Sequence, residues 1–286
     1  MADLSAIPKV DTLAKHAALA DIPPLIKTSL IRAQLNAIRS SMIEGSEECP
    51  DAQTIVGSVL ERFEEFKSGS LKTLINATGV VVHTNLGRSV LDEALFDEVK
   101  PFLVEYTNLE YDLARGSRGE RYTHLSAIMR EALGCEDALV VNNNAAAVFL
   151  ILNTFANGKE AVISRGELVE IGGSFRIPEV MRSAGATLRE VGTTNKTKRA
   201  DYEAAIGENC AMLMKVHRSN FVISGFTEEV DFAQISALAK QSGVIDYFDL
   251  GSGQFSPLGA SNEPLLSEIA KLSPSLVSFS GDKLFG

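Results

Sequence analysis

The sequence has 286 residues, of which 45% are hydrophobic, so the chain is long enough to bury a large core. Its formal net charge of −10 argues against binding nucleic acid through bulk electrostatics, although a local basic surface is compatible with it. The cysteines form no CxxC pair, which predicts a cytoplasmic protein. The histidines lack metal-ligand spacing, which predicts no structural metal. No apolar stretch reaches roughly 20 residues, which predicts no membrane span.

Residues 1–70 are predicted to form a small helical unit. Helical periodicity runs through residues 22–42 and again through residues 51–66, with prolines as punctuation between the segments. The stretch KSGSLKTL then leads into the main part of the chain. We therefore expect a domain boundary near residue 70 and a large domain over residues 71–286.

The large domain alternates short apolar runs with helical segments. The first run, residues 138–143, is predicted to be a strand that leads into a helix. Further strands are predicted at residues 160–164, 186–191, 210–217, 244–251 and 274–281. Continuous apolar strands with helices between them predict an α/β fold with a doubly wound, mainly parallel sheet. Ligands of such sheets bind at the carboxyl ends of the strands.

The segment after the first predicted strand is a candidate phosphate cradle. Asn143, Asn144 and Ala145 open the predicted helix, where bare N–H groups and the helix dipole favour an anion. Ordinary capping by asparagine is the alternative. The segment has neither a GxGxxG nor a GxxxxGK[ST] pattern, which disfavours a dinucleotide and a P-loop nucleotide.

Two residues at the ends of later predicted strands are further candidates for binding the same ligand as this cradle. Asp249 can stay ionised there, opposite a ring nitrogen cation, although a capping aspartate is the commoner interpretation. Lys283 follows 34 residues later and can form a Schiff base with an aldehyde; an ordinary surface lysine is the alternative. Pyridoxal phosphate needs a phosphate cradle, an acid for its pyridine nitrogen and a lysine for its aldehyde, so the set predicts this cofactor.

The chain also carries a series of long and unusual motifs. They are INATGVVVHTNLGRSVL (75–91), YDLARGSRGERY (111–122), VVNNNAAAVFLIL (140–152), SRGELVEIGGSFRIPEVM (164–181), VGTTNKT (191–197), KVHRSNFVISGF (215–226), DLGSGQF (249–255) and FSGDKLFG (279–286). In these motifs the chain resembles the bacterial selenocysteine synthase family, the L-seryl-tRNA(Sec) selenium transferases, over nearly its whole length.

The resemblance implies a fold and a domain organisation. The large domain would have the aminotransferase-like fold (fold type I) of enzymes that use pyridoxal phosphate, and the helical N-terminal unit would serve tRNA recognition. Members of the family continue past the cofactor lysine with a glycine-rich run and a second, smaller domain. We therefore expect this chain to be a truncated member that lacks the C-terminal small domain.

The resemblance also implies a reaction, the conversion of seryl-tRNA(Sec) to selenocysteinyl-tRNA(Sec) with selenophosphate. Lys283 would hold the cofactor and then remove the α-proton of the seryl group, while Asp249 keeps the pyridine nitrogen protonated. Loss of water gives an aminoacrylyl intermediate, to which selenium adds. Asp282 is expected to assist proton transfer to the departing hydroxyl, with a turn residue as the alternative.

Arginines and hydroxyl groups are the candidate ligands of the anionic selenium donor. Arg88 is the first candidate, because a glycine turn would aim its guanidinium into the site. Arg118 and Arg121 serve the same pocket, from this or a neighbouring subunit, or belong to a plain surface loop. Thr193 and Thr194 are candidate hydroxyl donors to substrate or phosphate.

His217 and Asn220 follow a predicted strand and are candidate cofactor contacts. In the family's fold this region meets the cofactor ring or its phenolic oxygen, whereas a core histidine with satisfied hydrogen bonds is the alternative for His217. The family is also known for homo-oligomers built from dimers, which we expect here.

Two other functions stay open from the sequence. A lyase or aldolase that uses pyridoxal phosphate on a small amino acid or amino sugar is disfavoured, because such a substrate needs no macromolecular docking unit. A non-catalytic tRNA-binding relative is disfavoured by the intact lysine, aspartate and asparagine-rich cradle.

Overall fold

The computed structural model describes residues 4–45, 48–171, 175–257 and 263–285. Residues 172–174 and 286, which belong to two of the motifs quoted above, lie outside the described residues. The chain divides into two compact units, Met1–Ile75 and Asn76–Gly286. Among the described residues, none of the helices combines the length and the apolar character that a membrane crossing needs.

The first unit is helical and has a core of its own. Its α-helices are α1 (Val10–Ala14), α2 (Pro24–Ile43) and α3 (Ala52–Ser68). Proline at the first position suits the start of α2, and the side chain of Asp51 caps α3 by accepting from the N–H of Thr54 at 2.7 Å. The buried side chains come mainly from one face of each helix: Ile31, Leu35, Ile38, Met42, Ile55, Val56 and Val59.

The second unit is built around a parallel sheet. Its helices are α4 (Glu93–Val104), α5 (Thr123–Leu133), α6 (Asn144–Phe155), α7 (Ile177–Ser183), α8 (Arg199–Ala205), α9 (Phe232–Ser242), α10 (Leu266–Ala270) and α11 (Gly281–Leu284). Its strands are β1 (Tyr111–Asp112), β2 (Ser117–Arg118), β3 (Glu160–Ser164), β4 (Glu170–Ile171), β5 (Phe175–Arg176), β6 (Thr187–Val191), β7 (Cys210–Val216), β8 (Ile245–Gly251) and β9 (Leu276–Phe279). The central sheet has the order β6-β3-β7-β8-β9 with parallel pairing throughout, while β1-β2 and β4-β5 form short antiparallel pairs.

Both faces of the central sheet are covered by helices. Successive side chains of a strand point to opposite faces, so Val162 packs in the same core as α8 and α9, whereas Ala161 and Ile163 pack in the core that holds α6 and α7. The two cores are therefore separated by the sheet itself. This arrangement confirms the predicted α/β fold with a doubly wound parallel sheet.

The predicted strand at residues 138–143 is wrong. Within the described residues this segment pairs with neither edge of the central sheet, and Leu139 and Val140 are 53% and 60% exposed. An apolar run indicates a tendency to be buried, but a strand also needs a neighbour that offers its backbone groups. The helix predicted after this segment is present as α6.

Candidate active site

Three neighbouring strands bring candidate residues to one edge of the sheet. Asp249 near the end of β8 pairs in register with Val216 of β7 on one side and Ser278 of β9 on the other. The chain continues from β7 into His217, whose N–H donates to the carbonyl of Asp249 at 2.9 Å, and from β9 into α11 with Lys283. Because all three strands are parallel, these residues lie at the carboxyl edge of the sheet, where ligands of such folds bind.

Asp249 is a buried carboxylate, and one of its oxygens accepts three hydrogen bonds. It is 2% exposed, and its Oδ1 accepts from Asn144 Nδ2 at 2.7 Å, the N–H of Gly251 at 3.0 Å and Ser278 Oγ at 3.3 Å. Burial raises the pKa of Asp249, and these hydrogen bonds together with the charge of Lys283 oppose that rise without cancelling it. Oδ2 accepts no hydrogen bond from the described residues, so it is available to a further donor.

The two asparagines that open α6 have different roles. Asn143 is the N-cap, and its Oδ1 accepts from the N–H of Ala146 at 2.9 Å, which is the capping that the sequence left open as an alternative. Asn144 instead turns its side-chain amide toward Asp249. Among the described contacts, the N–H groups of Asn144 and Ala145 have no protein acceptor, so the start of α6 can bind an anion through its backbone.

Lys283 is held in the short helix α11 directly after β9. Its N–H donates to the carbonyl of Ser280 at 3.1 Å, and its side chain is half-buried. The charge of Lys283 is one of the influences that lower the pKa of Asp249. The two residues named from their strand-end positions thus act on each other electrostatically in the fold.

A left-handed turn directs Arg88 to the residue beside this lysine. Gly87 and Arg88 have φ angles of 87° and 64°, and the N–H of Arg88 donates to the carbonyl of His83 at 3.1 Å. The guanidinium of Arg88 lies 3.1 Å from Oδ2 of Asp282, while the hydroxyl of Ser89 donates to the carbonyl of Asp282. A positive φ is unfavourable for arginine, so the turn is stabilised by these contacts.

Asp282 is ionised in this arrangement. Burial raises its pKa, but the hydrogen bonds from Ser280 and Arg88 outweigh burial and hold the pKa below its usual value. Ser280 Oγ donates to Oδ1 at 2.6 Å, so both carboxylate oxygens have a donor.

Arg118 and Arg121 are not brought to this cluster. Both bind Glu110, with Arg118 Nη2 at 3.3 Å and Arg121 Nε at 2.9 Å, and their side chains are 84% and 58% exposed. None of their described contacts reaches Asp249 or Lys283. Within this chain they stabilise the exposed segment around β1 and β2.

Thr193 and Thr194 lie in the loop after β6, at the same edge of the sheet as Asp249. The hydroxyl of Thr193 accepts from the N–H of Lys196 at 3.2 Å and donates to its carbonyl at 3.0 Å, which closes the turn. Gly166 allows the loop after β3 to approach this turn, because a Cβ there would lie 2.6 Å from the carbonyl oxygen of Thr194.

His217 and Asn220 anchor neighbouring loops. His217 Nε2 lies 3.0 Å from Oε2 of Glu263, which also accepts from Ser252 Oγ at 2.6 Å. Asn220 Nδ2 donates to the carbonyl of Glu170 at 2.9 Å. Partial burial raises the pKa of Glu263, but the hydrogen bonds from His217, Ser252 and a backbone N–H outweigh it and lower the pKa to about 2.

A buried ion pair behind the site was missed by the sequence reasoning. Lys215 Nζ lies 2.9 Å from Oε1 of Glu167 and donates to the carbonyl of Val230 at 2.8 Å, while the N–H of Val216 donates to Oε2 of Glu167 at 3.0 Å. The pair joins the loop after β3 to the end of β7, from which His217 follows. The available signal was a lysine in the otherwise apolar strand CAMLMKV, since a buried charge needs a partner.

Comparison with solved structures assigns the fold class. The structure described as "Structure of D-Glucosaminate-6-phosphate Ammonia-lyase" aligns with a TM-score of 0.59 at 19% identity, covering 78% of this chain and 57% of that chain. A second solved structure, described as "SPT with PLP", aligns with a TM-score of 0.50 at 14% identity, covering 82% and 61%. With its parallel sheet, the second unit has the fold type I architecture of enzymes that use pyridoxal phosphate.

Sequence comparison gives the family. The model of the family described as "SelA: L-seryl-tRNA selenium transferase" matches residues 74–286, and the chain belongs to this family. It is 56% identical to an L-seryl-tRNA(Sec) selenium transferase of Wolinella succinogenes, covering 99% of this chain and 64% of the relative. It is 51% identical to one of Aliarcobacter butzleri, covering 100% and 64%. The chain thus spans about 64% of the length of these relatives.

Proposed function

We propose that this chain provides the cofactor-binding part of a selenium transferase that converts seryl-tRNA(Sec) to selenocysteinyl-tRNA(Sec) with selenophosphate. One arrangement carries the proposal: buried Asp249 near the end of β8 and half-buried Lys283 just after β9 lie on neighbouring parallel strands within the segment that matches the family. The identity to relatives named L-seryl-tRNA(Sec) selenium transferase supports the choice of substrate.

The described residues fit pyridoxal phosphate. Oδ2 of Asp249 suits the N–H of a pyridinium ring, the N–H groups of Asn144 and Ala145 suit a phosphate, and Lys283 suits an aldehyde. Pyridoxal phosphate, when bound, supplies an electron sink for a carbanion at the α-carbon of an amino acid. No described group of three or more His, Cys, Asp or Glu side chains is arranged to hold a metal ion.

Lys283 and Asp249 divide the handling of protons and charge. Nζ of Lys283 takes the proton from the α-carbon of the seryl group and then carries the proton that the departing hydroxyl needs. Asp249 holds a negative charge opposite the ring nitrogen, because its three donors to Oδ1 stabilise the carboxylate in a buried place.

Arg88, which Asp282 orients, receives the anionic selenium donor in this proposal. A guanidinium offers planar, paired donors that suit a phosphate-like anion. The lowered pKa of Asp282 keeps it ionised at neutral pH, so it orients Arg88 rather than giving up a proton. Thr194 adds a hydroxyl donor from the loop after β6 at the same edge of the sheet, and Thr193 holds that loop by donating its hydroxyl proton to the carbonyl of Lys196.

His217 and Asn220 hold the loops beside the proposed cofactor site in position. The N–H of His217 donates to the carbonyl of Asp249 and its ring nitrogen Nε2 lies 3.0 Å from Oε2 of Glu263, so His217 lies between the end of β7 and the loop after β8. We assign these two residues to cofactor contact through that position at the sheet edge.

Assembly into homo-oligomers built from dimers belongs to the same proposal. The surface of α4 exposes large apolar side chains, such as Phe102 at 70% and Leu103 at 69%, which supports an interface there. Such an interface would also offer Arg118 and Arg121 a way to serve the site of a neighbouring copy.

The helical unit is the proposed contact for tRNA, and the reaction is proposed to take place in the cytoplasm, where translation uses its product. Arg32 and Arg39 of α2 are exposed, whereas Ile31, Leu35 and Ile38 of the same helix are buried. The basic face of α2 is therefore open to a partner.

A transfer assay tests the proposed function. Purified holoprotein is incubated with seryl-tRNA(Sec) and radiolabelled selenophosphate, and selenium that becomes attached to the aminoacyl group is counted after precipitation. We expect transfer with wild type and none with Lys283→Ala. Transfer that persists in Lys283→Ala, or activity on serine alone equal to that on seryl-tRNA(Sec), contradicts the proposal.

A further inference from the structure

A buried chain of hydroxyl groups ends on Asp249. Tyr247 Oη lies 2.7 Å from Ser278 Oγ, which in turn lies 3.3 Å from Oδ1 of Asp249. The three residues are 0%, 5% and 2% exposed. Tyr247 and Asp249 are two positions apart on β8 and so face the same side of the sheet, while Ser278 reaches them from β9.

The carboxylate of Asp249 determines which hydroxyl donates in each of these two hydrogen bonds. An ionised carboxylate can only accept, so the hydroxyl of Ser278 donates to Asp249. A hydroxyl has one proton, so Ser278 receives the proton of Tyr247 in the other hydrogen bond. Burial and the charge of Asp249 raise the pKa of Tyr247 well above its usual value, which keeps the phenol protonated and able to donate.

The side-chain amide of Asn144 donates to Oδ1 of Asp249 as well, and in this orientation its own Oδ1 accepts no hydrogen bond from the described residues. Its Nδ2 is 2.7 Å from Oδ1 of Asp249, and its own Oδ1 is buried. A buried unsatisfied oxygen is unfavourable, so this orientation is held by the hydrogen bond to Asp249. Both side-chain donors to Asp249 in the described part of the chain thus converge on Oδ1, and Oδ2 is left for a ligand.

We propose that Tyr247, Ser278 and Asn144 are positioning residues that keep Asp249 ionised and thereby keep a proton on the ring nitrogen of the cofactor. The proposal rests on the proposed function. A proton between a carboxylate and a pyridine nitrogen stays on the nitrogen only when the carboxylate is the weaker base. Each donor to Oδ1 makes Asp249 a weaker base, so each lost donor shifts the proton toward Oδ2 by about tenfold in the equilibrium constant.

The test measures ring protonation without turnover. The purified holoprotein is loaded with pyridoxal phosphate that carries ¹⁵N in its ring, and the ¹⁵N chemical shift reports whether the nitrogen is protonated. Fluorescence titration gives the Kd of the cofactor as a second measurement. We expect Ser278→Ala and Tyr247→Phe each to move the shift toward neutral pyridine and to raise the Kd, and Ser278→Thr, which keeps the hydroxyl, to restore both.

Tyr202→Phe is the matched control. Tyr202 is also fully buried, and its hydroxyl bonds to the N–H of Ser164 and the carbonyl of Met214, but it makes no described contact with Asp249. An unchanged ¹⁵N shift in Ser278→Ala overturns the inference, as does an equal change in Tyr202→Phe. Wild type that fails to bind the cofactor, or that binds it away from Lys283, overturns the proposed function as well and is recognised by the absence of reductive labelling at Lys283.

Discussion

Arg88 and Asp282 are 194 positions apart in the sequence, yet the guanidinium of one lies 3.1 Å from the carboxylate of the other. Their side chains are 42% and 43% exposed, so an anion from solvent can reach the pair. Because Asp282 directly precedes Lys283, the pair sets a cationic group beside the candidate cofactor lysine. An anion that binds Arg88 competes with Asp282 for the same donors.

Replacing Arg88 with lysine keeps the charge but removes the planar fork of donors. We expect Arg88→Lys to raise the KM for selenophosphate about tenfold or more, with a smaller change in kcat, because one charged hydrogen bond is worth roughly 1.5–3 kcal/mol. Steady-state kinetics with selenophosphate varied at saturating seryl-tRNA(Sec) measure the effect. Arg115→Lys is the control, since Arg115 is 82% exposed and pairs only with Asp112 among the described residues. Equal KM values in the two variants would contradict the assignment.

Lys283 is predicted to be the residue that borohydride labels in the presence of pyridoxal phosphate, because reduction fixes a Schiff base onto its lysine. Digestion and mass spectrometry of the reduced protein locate the label. Lys283→Ala should lose it entirely. Lys271→Ala should keep it, since Lys271 is 68% exposed and paired with Glu268 on the surface. Label on any other lysine in the wild-type protein would remove Lys283 from its role.

The parallel sheet could be predicted because its strands are mainly apolar and helices of suitable length separate them. The failure at Leu139 and Val140 shows what such patterns omit. Hydrophobicity indicates that a segment tends to be buried, but whether a strand forms depends on a neighbour with free backbone groups, and that neighbour is set by long-range topology. The same residues that resemble a buried strand in sequence are more than half exposed here.

The candidate site could be predicted only where the topology alone determines position. Strand-end placement was enough to put Asp249 and Lys283 at one edge. It was not enough to pair Arg88 with Asp282, or to turn Asn144 from the phosphate cradle toward Asp249, because both contacts depend on side-chain direction across distant segments. Glu263 was missed for the same reason. The catalytic and binding roles given to these residues stay predictions.

Asp249→Asn is predicted to lower the affinity for pyridoxal phosphate without lowering the free energy of unfolding of the cofactor-free protein. Burial raises the pKa of Asp249, and an acid with a raised pKa stabilises the fold only below its unfolded pKa, a contribution that is lost as pH rises through the folded pKa. At pH 7 the charge therefore weakens the cofactor-free fold, and the asparagine variant should be at least as stable in urea unfolding. Its affinity for pyridoxal phosphate should fall by roughly 1.5–3 kcal/mol.

The control for this variant is Asp246→Asn, at a second buried aspartate of β8. Asp246 accepts from the N–H of Ser275 at 3.0 Å and is 0% exposed, but it lies away from the carboxyl edge of the strand. Its replacement should leave cofactor affinity unchanged. Cofactor affinity in Asp249→Asn equal to that of wild type would exclude Asp249 as the partner of the ring nitrogen.

The contact of Glu263 with His217, which joins the loop after β8 to the end of β7, is predicted to weaken at acid pH. Its pKa falls from 4.5 to about 2, so its stabilising contribution is complete above pH 4.5 and is lost as pH falls toward 2. The side chain is 30% exposed, and after solvent screening we expect a contribution of about 1–2 kcal/mol. Thermal unfolding of wild type should therefore lose stability more steeply than Glu263→Gln between pH 4.5 and 2. Parallel curves for the two proteins would contradict the link, and Glu268→Gln on the exposed surface serves as the control.

The helical unit is predicted to bind tRNA through a local basic face of α2. Arg32 and Arg39 are seven residues apart and therefore on one side of the helix. We expect Arg32→Glu combined with Arg39→Glu to weaken binding of seryl-tRNA(Sec) by at least tenfold and to reduce the salt dependence of binding, because fewer phosphate contacts release fewer counterions. Filter binding at several salt concentrations measures both effects.

Two comparisons decide whether this effect belongs to recognition. Arg62→Glu changes an exposed arginine of α3, outside the proposed face, and should leave tRNA affinity nearly unchanged. Removal of residues 1–75 should abolish tRNA binding while borohydride still labels Lys283, because the second unit contains every proposed cofactor residue and its own two cores. If tRNA affinity survives that deletion, the helical unit has no part in recognition. If labelling is lost with it, the second unit depends on the first for its fold, and the double arginine variant alone decides the question.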